Sequence, residues 1–114
     1  MAKVKTAELI GPALDWAVAK VEGHSAHHHG GVVRTTMRGV FGPALNYSTD
    51  WGQGGPLIQA HLLVISPEPS KGWLARAYMD ATEYYGPTPL IAAMRCLVAS
   101  HLGDEVLIPQ ELLQ

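Results

Sequence analysis

Apolar side chains recur at helical spacing twice, near the start of the chain and near its end. Leu14, Ala17, Val18 and Val21 share a face, while Asp15, Lys20 and Glu22 fall mostly elsewhere on the wheel. Gly11-Pro12 precedes this run and Gly23 follows it. Proline suits a first helical position, where its missing N–H has no partner to lose, and glycine suits a stop. The pattern predicts a helix over about 12–22. The second run is Leu90, Ile91, Ala93, Met94, Leu97, Val98 and Leu102, with Thr88 as N-cap, Pro89 as first residue and Gly103 as stop. It predicts a helix over 89–102. Only Arg95, Ser100 and His101 are strongly polar within it, so this helix is either central or covered by a partner.

The middle is less regular. Residues 24–31 (His, Ser, Ala, three His, two Gly) read as a loop, and Val32–Met37 as a β-branched strand. Gly42-Pro43 marks a break, and 44–57 is too rich in glycine for regular structure. Leu57–Ile65 reads as a strand interrupted by Gln59 and His61. Pro67, Pro69 and Gly72 make a turn, and Trp73–Met79 reads as a strand with Trp73, Ala75, Ala77 and Met79 on one face. Val106–Ile108 reads as a short strand and Pro109-Gln110-Glu111 as a last helical turn. No internal repeat is visible. Helices at the ends with strands between predict an α+β fold, a small mainly antiparallel sheet packed with two main helices, in a single domain over 1–114.

Composition narrows the class. With 114 residues, 47% hydrophobic and 16% charged, the chain buries one core. Eight Lys and Arg against ten Asp and Glu leave a net charge of −2, without the basic surplus of a non-specific nucleic-acid binder, so nucleic acid is not an expected partner. The single cysteine, Cys96, excludes an intramolecular disulfide and fits a reducing compartment. No apolar run is long enough to span a membrane. Lys3 and Lys5 resemble a signal-peptide start, but Glu8 and Asp15 interrupt any apolar region behind them. A soluble intracellular protein is expected.

The histidines are the most conspicuous candidates for chemistry. His24, His27, His28 and His29 resemble a metal-binding tract, yet adjacent residues on a loop rarely converge tetrahedrally, and no Cys or acidic ligand accompanies them. They read as a solvated loop, and no metal is expected. Cys96 on an apolar helix reads as packing. There is no nucleophile elbow, no P-loop and no carboxylate pair, so no catalytic residue, cofactor or enzymatic activity is expected.

An anion site is the stronger candidate. The N–H groups of Leu90 and Ile91 at a helix start, the Thr88 hydroxyl and Arg95 reaching back along the face could hold a phosphate or carboxylate. Tyr47, Trp51, Tyr84 and Tyr85 offer flat surfaces for a base, and Ser48, Thr49, Asp50 and Gln53 could read a base or ribose. The plainer alternative is that Thr88 only caps the helix, Arg95 pairs with Asp50, Asp80 or Glu83, and Trp51 and Trp73 are half the core of a small sheet. Gly52-Gln53-Gly54-Gly55 is equally a tight turn.

Three segments together resemble the phage NinX-like family, small proteins of bacteriophages and prophages. They are Leu14-Asp15-Trp16-Ala17-Val18-Ala19-Lys20, Tyr47-Ser48-Thr49-Asp50-Trp51-Gly52-Gln53-Gly54-Gly55-Pro56, and Gly86-Pro87-Thr88-Pro89-Leu90-Ile91-Ala92-Ala93-Met94-Arg95. The tail Leu102-Gly103-Asp104-Glu105-Val106 agrees, while the His-rich loop and 66–85 depart from the pattern. The resemblance implies a phage origin and a host-cytoplasm location, and no established reaction. It places the motif residues in the proposed anion site, with Trp16 lining or supporting it. The expected function is non-enzymatic binding of a small anionic ligand, a nucleotide or nucleotide-derived signal, as a sponge against host defence; this last step is an analogy of class. Alternatives are a protein-interaction module acting on a host or phage enzyme, and an enzyme using His61, Asp50 or Glu83 as base. A homodimer is expected from the apolar second helix.

Overall fold

The structure is a computed structural model describing residues 1–113, without the Met37 side chain. Along the chain run β1 (Ala2–Lys5), a 3-10 turn (Thr6–Glu8), α1 (Gly11–Val21), β2 (Ala26–His29), β3 (Val32–Met37), β4 (Val40–Ala44) and α2 (Trp51–Ala60). They are followed by β5 (Leu63–Glu68), β6 (Gly72–Ala77), β7 (Glu83–Gly86), α3 (Pro89–Leu102), β8 (Glu105–Ile108) and a last 3-10 turn (Gln110–Leu112). The fold is α+β, as expected, but its strands form three small antiparallel sheets: β1-β8, β2-β3-β4 and β5-β6-β7.

The core is built around α3. Leu90 to Met94 and Cys96 to Val98 are buried, covered by β5–β7, α1, α2 and the first 3-10 turn. The helix is therefore central, and its apolar surface needs no second copy to cover it. Thr88 Oγ1 accepts from the Ile91 N–H at 3.1 Å, the cap that starts the helix where its sequence places it. Leu14 and Val18 of α1 are fully buried against this core.

Four readings of the middle need correction, the first being the break at Gly42-Pro43, which lies inside β4. Residues 24–31 are not simply a loop, because β2 pairs with β3 across a tight turn at Gly30 and Gly31. Both glycines have positive φ (59° and 80°), which the favoured two-residue hairpin turn demands. Residues 44–57 are not irregular throughout. Asp50 Oδ1 accepts from Gly52 N at 2.8 Å and starts α2, which runs to Ala60 and takes the first residues of the strand expected at 57–65. Gly54 is buried where a Cβ would stand 2.7 Å from Leu90 Cδ1, so this glycine serves close helix packing rather than flexibility. The strand expected over 73–79 is Gly72–Ala77. Ala75 and Ala77 are both buried on the face they share, whereas Met79 lies past the strand end and is exposed.

The short strand at 105–108 finds a distant partner. β1 pairs with β8 in register from Ala2↔Ile108 to Lys5↔Glu105. Thr6, fully buried, fastens the junction: its N–H donates to the Asp104 carbonyl and its hydroxyl to that of Gly103, both at 2.8 Å.

Candidate functional site

At the start of α3 the chain consumes two of its own donors. Thr88 Oγ1 takes Ile91 N and the Thr88 carbonyl takes Ala92 N, while Leu90 and Ile91 are buried. Gly86 packs so tightly that a Cβ there would lie 2.6 Å from Ala92 N. The N-terminal corner is thus closed by capping and packing.

Arg95 faces a different opening. Its Nε donates to the Leu9 carbonyl at 2.7 Å and its Nη1 to that of Tyr85 at 2.9 Å. No carboxylate lies within salt-bridge distance of it among the described residues, so pairing with Asp50, Asp80 or Glu83 is not formed. Burial lowers its pKa below the usual arginine value. It lines an open groove of about 520 Å³ together with Lys71, Glu83, Tyr84 and Tyr85. The Lys71 ammonium sits 4.1 Å from the centre of the Tyr85 ring. Gly72, at φ 91°, lets the β5–β6 turn approach the Gly86 carbonyl, where a Cβ would stand 2.7 Å away.

The residues around α2 do other work. Gln53 accepts from Asn46 N at 2.7 Å and donates to the Ala44 carbonyl at 3.1 Å, and the Asn46 carbonyl receives the N–H groups of Thr49 and Asp50. Tyr47 and Ser48 are buried, and Ser48 N donates to Asp15 Oδ1 at 2.8 Å. The segment from Tyr47 to Gln53 is a self-bonded clamp that joins β4 to α2 and, through Asp15, to α1. Thr49 is exposed, and Trp51 is 56% exposed rather than part of the core, while Trp73 is half-buried against the core. Burial pushes the Asp15 carboxyl up to about 6, against the opposing pull of its Ser48 hydrogen bonds. Burial, then the charges of Glu22 and Asp15, raise the Tyr47 pKa.

Trp16 is buried at a third place. Its ring meets His28 edge-on at 5.4 Å between centres, and Lys20 Nζ lies 4.9 Å over it. Of the residues expected at an anion site, Arg95, Tyr84 and Tyr85 line the groove beside β7, whereas Thr88, Leu90, Ile91, Trp16 and the Tyr47–Gln53 residues do not. Lys71, supplied by the β5–β6 turn, was not legible as a neighbour of Arg95; Tyr84 and Tyr85 were legible as aromatics next to Gly86-Pro87.

Among the described residues no three His, Cys, Asp or Glu side chains are arranged to hold a metal. In the histidine tract, His28 turns toward Trp16 and Glu111 (4.0 Å), while His27 and His29 face solvent. Cys96 is fully buried, and burial pushes its thiol up to about 11.

The site defines a small α+β protein with a groove beside its central helix, lined by two cations, one carboxylate and two tyrosines, and no helix among the described residues is long and apolar enough to cross a membrane. The chain belongs to the family described as bacteriophage P22 NinX, whose model matches residues 5–101, and is a phage protein of that family. No curated protein matches it significantly.

Proposed function

We propose that this phage protein binds a small anionic ligand without turning it over, and that the ligand is a nucleotide or a signal derived from one. The observation that carries the reading is Arg95: a half-buried guanidinium with no carboxylate within salt-bridge distance among the described residues, lining an open groove. A cation taken partly out of water without a counter-ion favours an anion that enters its site. Lys71 adds a second positive charge, and Tyr84 and Tyr85 supply rings beside both. Phosphate at the two cations with a base against a phenol ring matches this arrangement. In a host cytoplasm, such a protein would act by sequestering a nucleotide signal of defence.

The test is a thermal-shift and calorimetric screen of the purified protein against mononucleotides and cyclic nucleotides. A ligand at 100 times its Kd stabilises the fold by about 2.7 kcal/mol. Arg95→Gln and Lys71→Ala should each weaken that ligand at least tenfold. A screen without binding, or binding indifferent to both substitutions, overturns the reading. Turnover of a bound nucleotide would replace it with an enzymatic one.

A further inference from the structure

The net charge of −2 averages over a sharp segregation. Between Glu22 and Asp50 there is no acidic residue, while Arg34, Arg38 and four histidines fall in that stretch. The stretch carries +2 with its histidines neutral, against −4 for the rest of the chain. It folds into the β2-β3-β4 meander, which packs on α1 through one face: Val33 is buried and His28 lies against Trp16.

The other face is open. His27 pairs across the strands with Arg34, and His29 with Val32, so all four project together. Phe41, 66% exposed, joins them edge-on to His27 at 6.2 Å between ring centres. These side chains line a shallow cleft of about 540 Å³. Arg38, exposed with φ 53°, stands at the β3–β4 turn beside Gly39.

We propose that this face binds single-stranded nucleic acid. Its cations meet the phosphates, and its flat groups (two imidazoles, a guanidinium and a phenyl ring) stack against exposed bases. Open antiparallel sheets bearing rings and cations are a recurring platform for unpaired strands. An acidic peptide would satisfy the arginines but leave the ring faces without a counterpart. A duplex hides its base faces, so the rings favour the single strand over it. The proposal is independent of the groove at Arg95, which lies beside β7.

The experiment is fluorescence anisotropy with an end-labelled 20-nucleotide mixed-sequence DNA strand, in 50 and 200 mM salt. Two neutralised phosphates give a logarithmic salt slope of about −1.4, so affinity should fall about sevenfold over that range. Arg34→Gln with Arg38→Gln should abolish measurable binding. Phe41→Ser should weaken it about fivefold or more, the effect of losing one stacked base. Circular dichroism checks that these surface variants keep the fold. Arg95→Gln should bind the strand like the parent, which separates this site from the nucleotide groove. Absence of binding, equal binding of the annealed duplex, loss in Arg95→Gln, or competition by polyglutamate as effective as by unlabelled strand each overturns the proposal.

Discussion

His61 Nε2 and Glu22 Oε2 lie 3.0 Å apart, and this pair ties the end of α1 to the end of α2, since Glu22 and His61 are the C-cap residues of those helices. His101, in the last turn of α3, places its ring edge-on to His61 at 5.2 Å, and its Nδ1 donates to the Leu97 carbonyl. Three helix C-termini meet here, each with a partial negative end that welcomes an N–H donor. The pair is mostly shielded, with side-chain exposures of 25% and 22%. A double-mutant cycle with Glu22→Gln and His61→Ala, read by urea denaturation, should give a coupling of about 1 kcal/mol.

Asp15 predicts a pH dependence with a definite sign. Its folded pKa of about 6 exceeds the ordinary 3.8, so the fold prefers the protonated form. The contribution is fully present below about pH 4 and is lost as pH rises through 6. It amounts to about 3 kcal/mol between those limits. Glu68 and Asp80, both lowered by local hydrogen bonds, act in the opposite sense at lower pH. Asp15→Asn, whose amide oxygen still accepts from Ser48 N, should flatten the fall in stability between pH 4 and 7, measured by chemical denaturation at each pH.

Neighbouring glycines in α2 should answer differently to alanine. At Gly54 a new methyl collides with Leu90 and the Tyr47 carbonyl, and a loss of about 2 kcal/mol or more is expected. At Gly55 the nearest atom is Trp51 Cε3 at 3.7 Å, so the better helix propensity of alanine should leave stability unchanged or raise it by up to about 1 kcal/mol. Denaturation midpoints of the two variants separate these outcomes.

Cys96 should resist modification. A buried thiol with its pKa near 11, bonded to the Thr82 carbonyl at 3.3 Å, presents almost no thiolate at neutral pH. Iodoacetamide at pH 8 should leave the native protein unlabelled over hours and label it fully in denaturant.

What the sequence disclosed follows the range of the forces involved. α3 was legible from Thr88 to Gly103 because its cap, its first proline and its apolar spacing are all local. The Gly-rich segment after Tyr47 was misleading because the reason for Gly54 is Leu90, 36 positions away in the chain. Arg95 was legible as a cation on an otherwise apolar helix, but its direction is set by the Leu9 carbonyl, 86 positions away. The Gly30-Gly31 turn was a local signal that the run of histidines obscured. The charge segregation was written in the sequence too, and only the pairing of His27 with Arg34 turns it into a surface.

The β1–β8 pairing has a consequence for how the fold closes. β1 has no strand to bond to until β8, at the far side of α3, is in place. Thr6 likewise waits for Gly103 and Asp104. Closure of this sheet is therefore a long-range step that follows the local elements, since loop-closure entropy must be met before its contacts form.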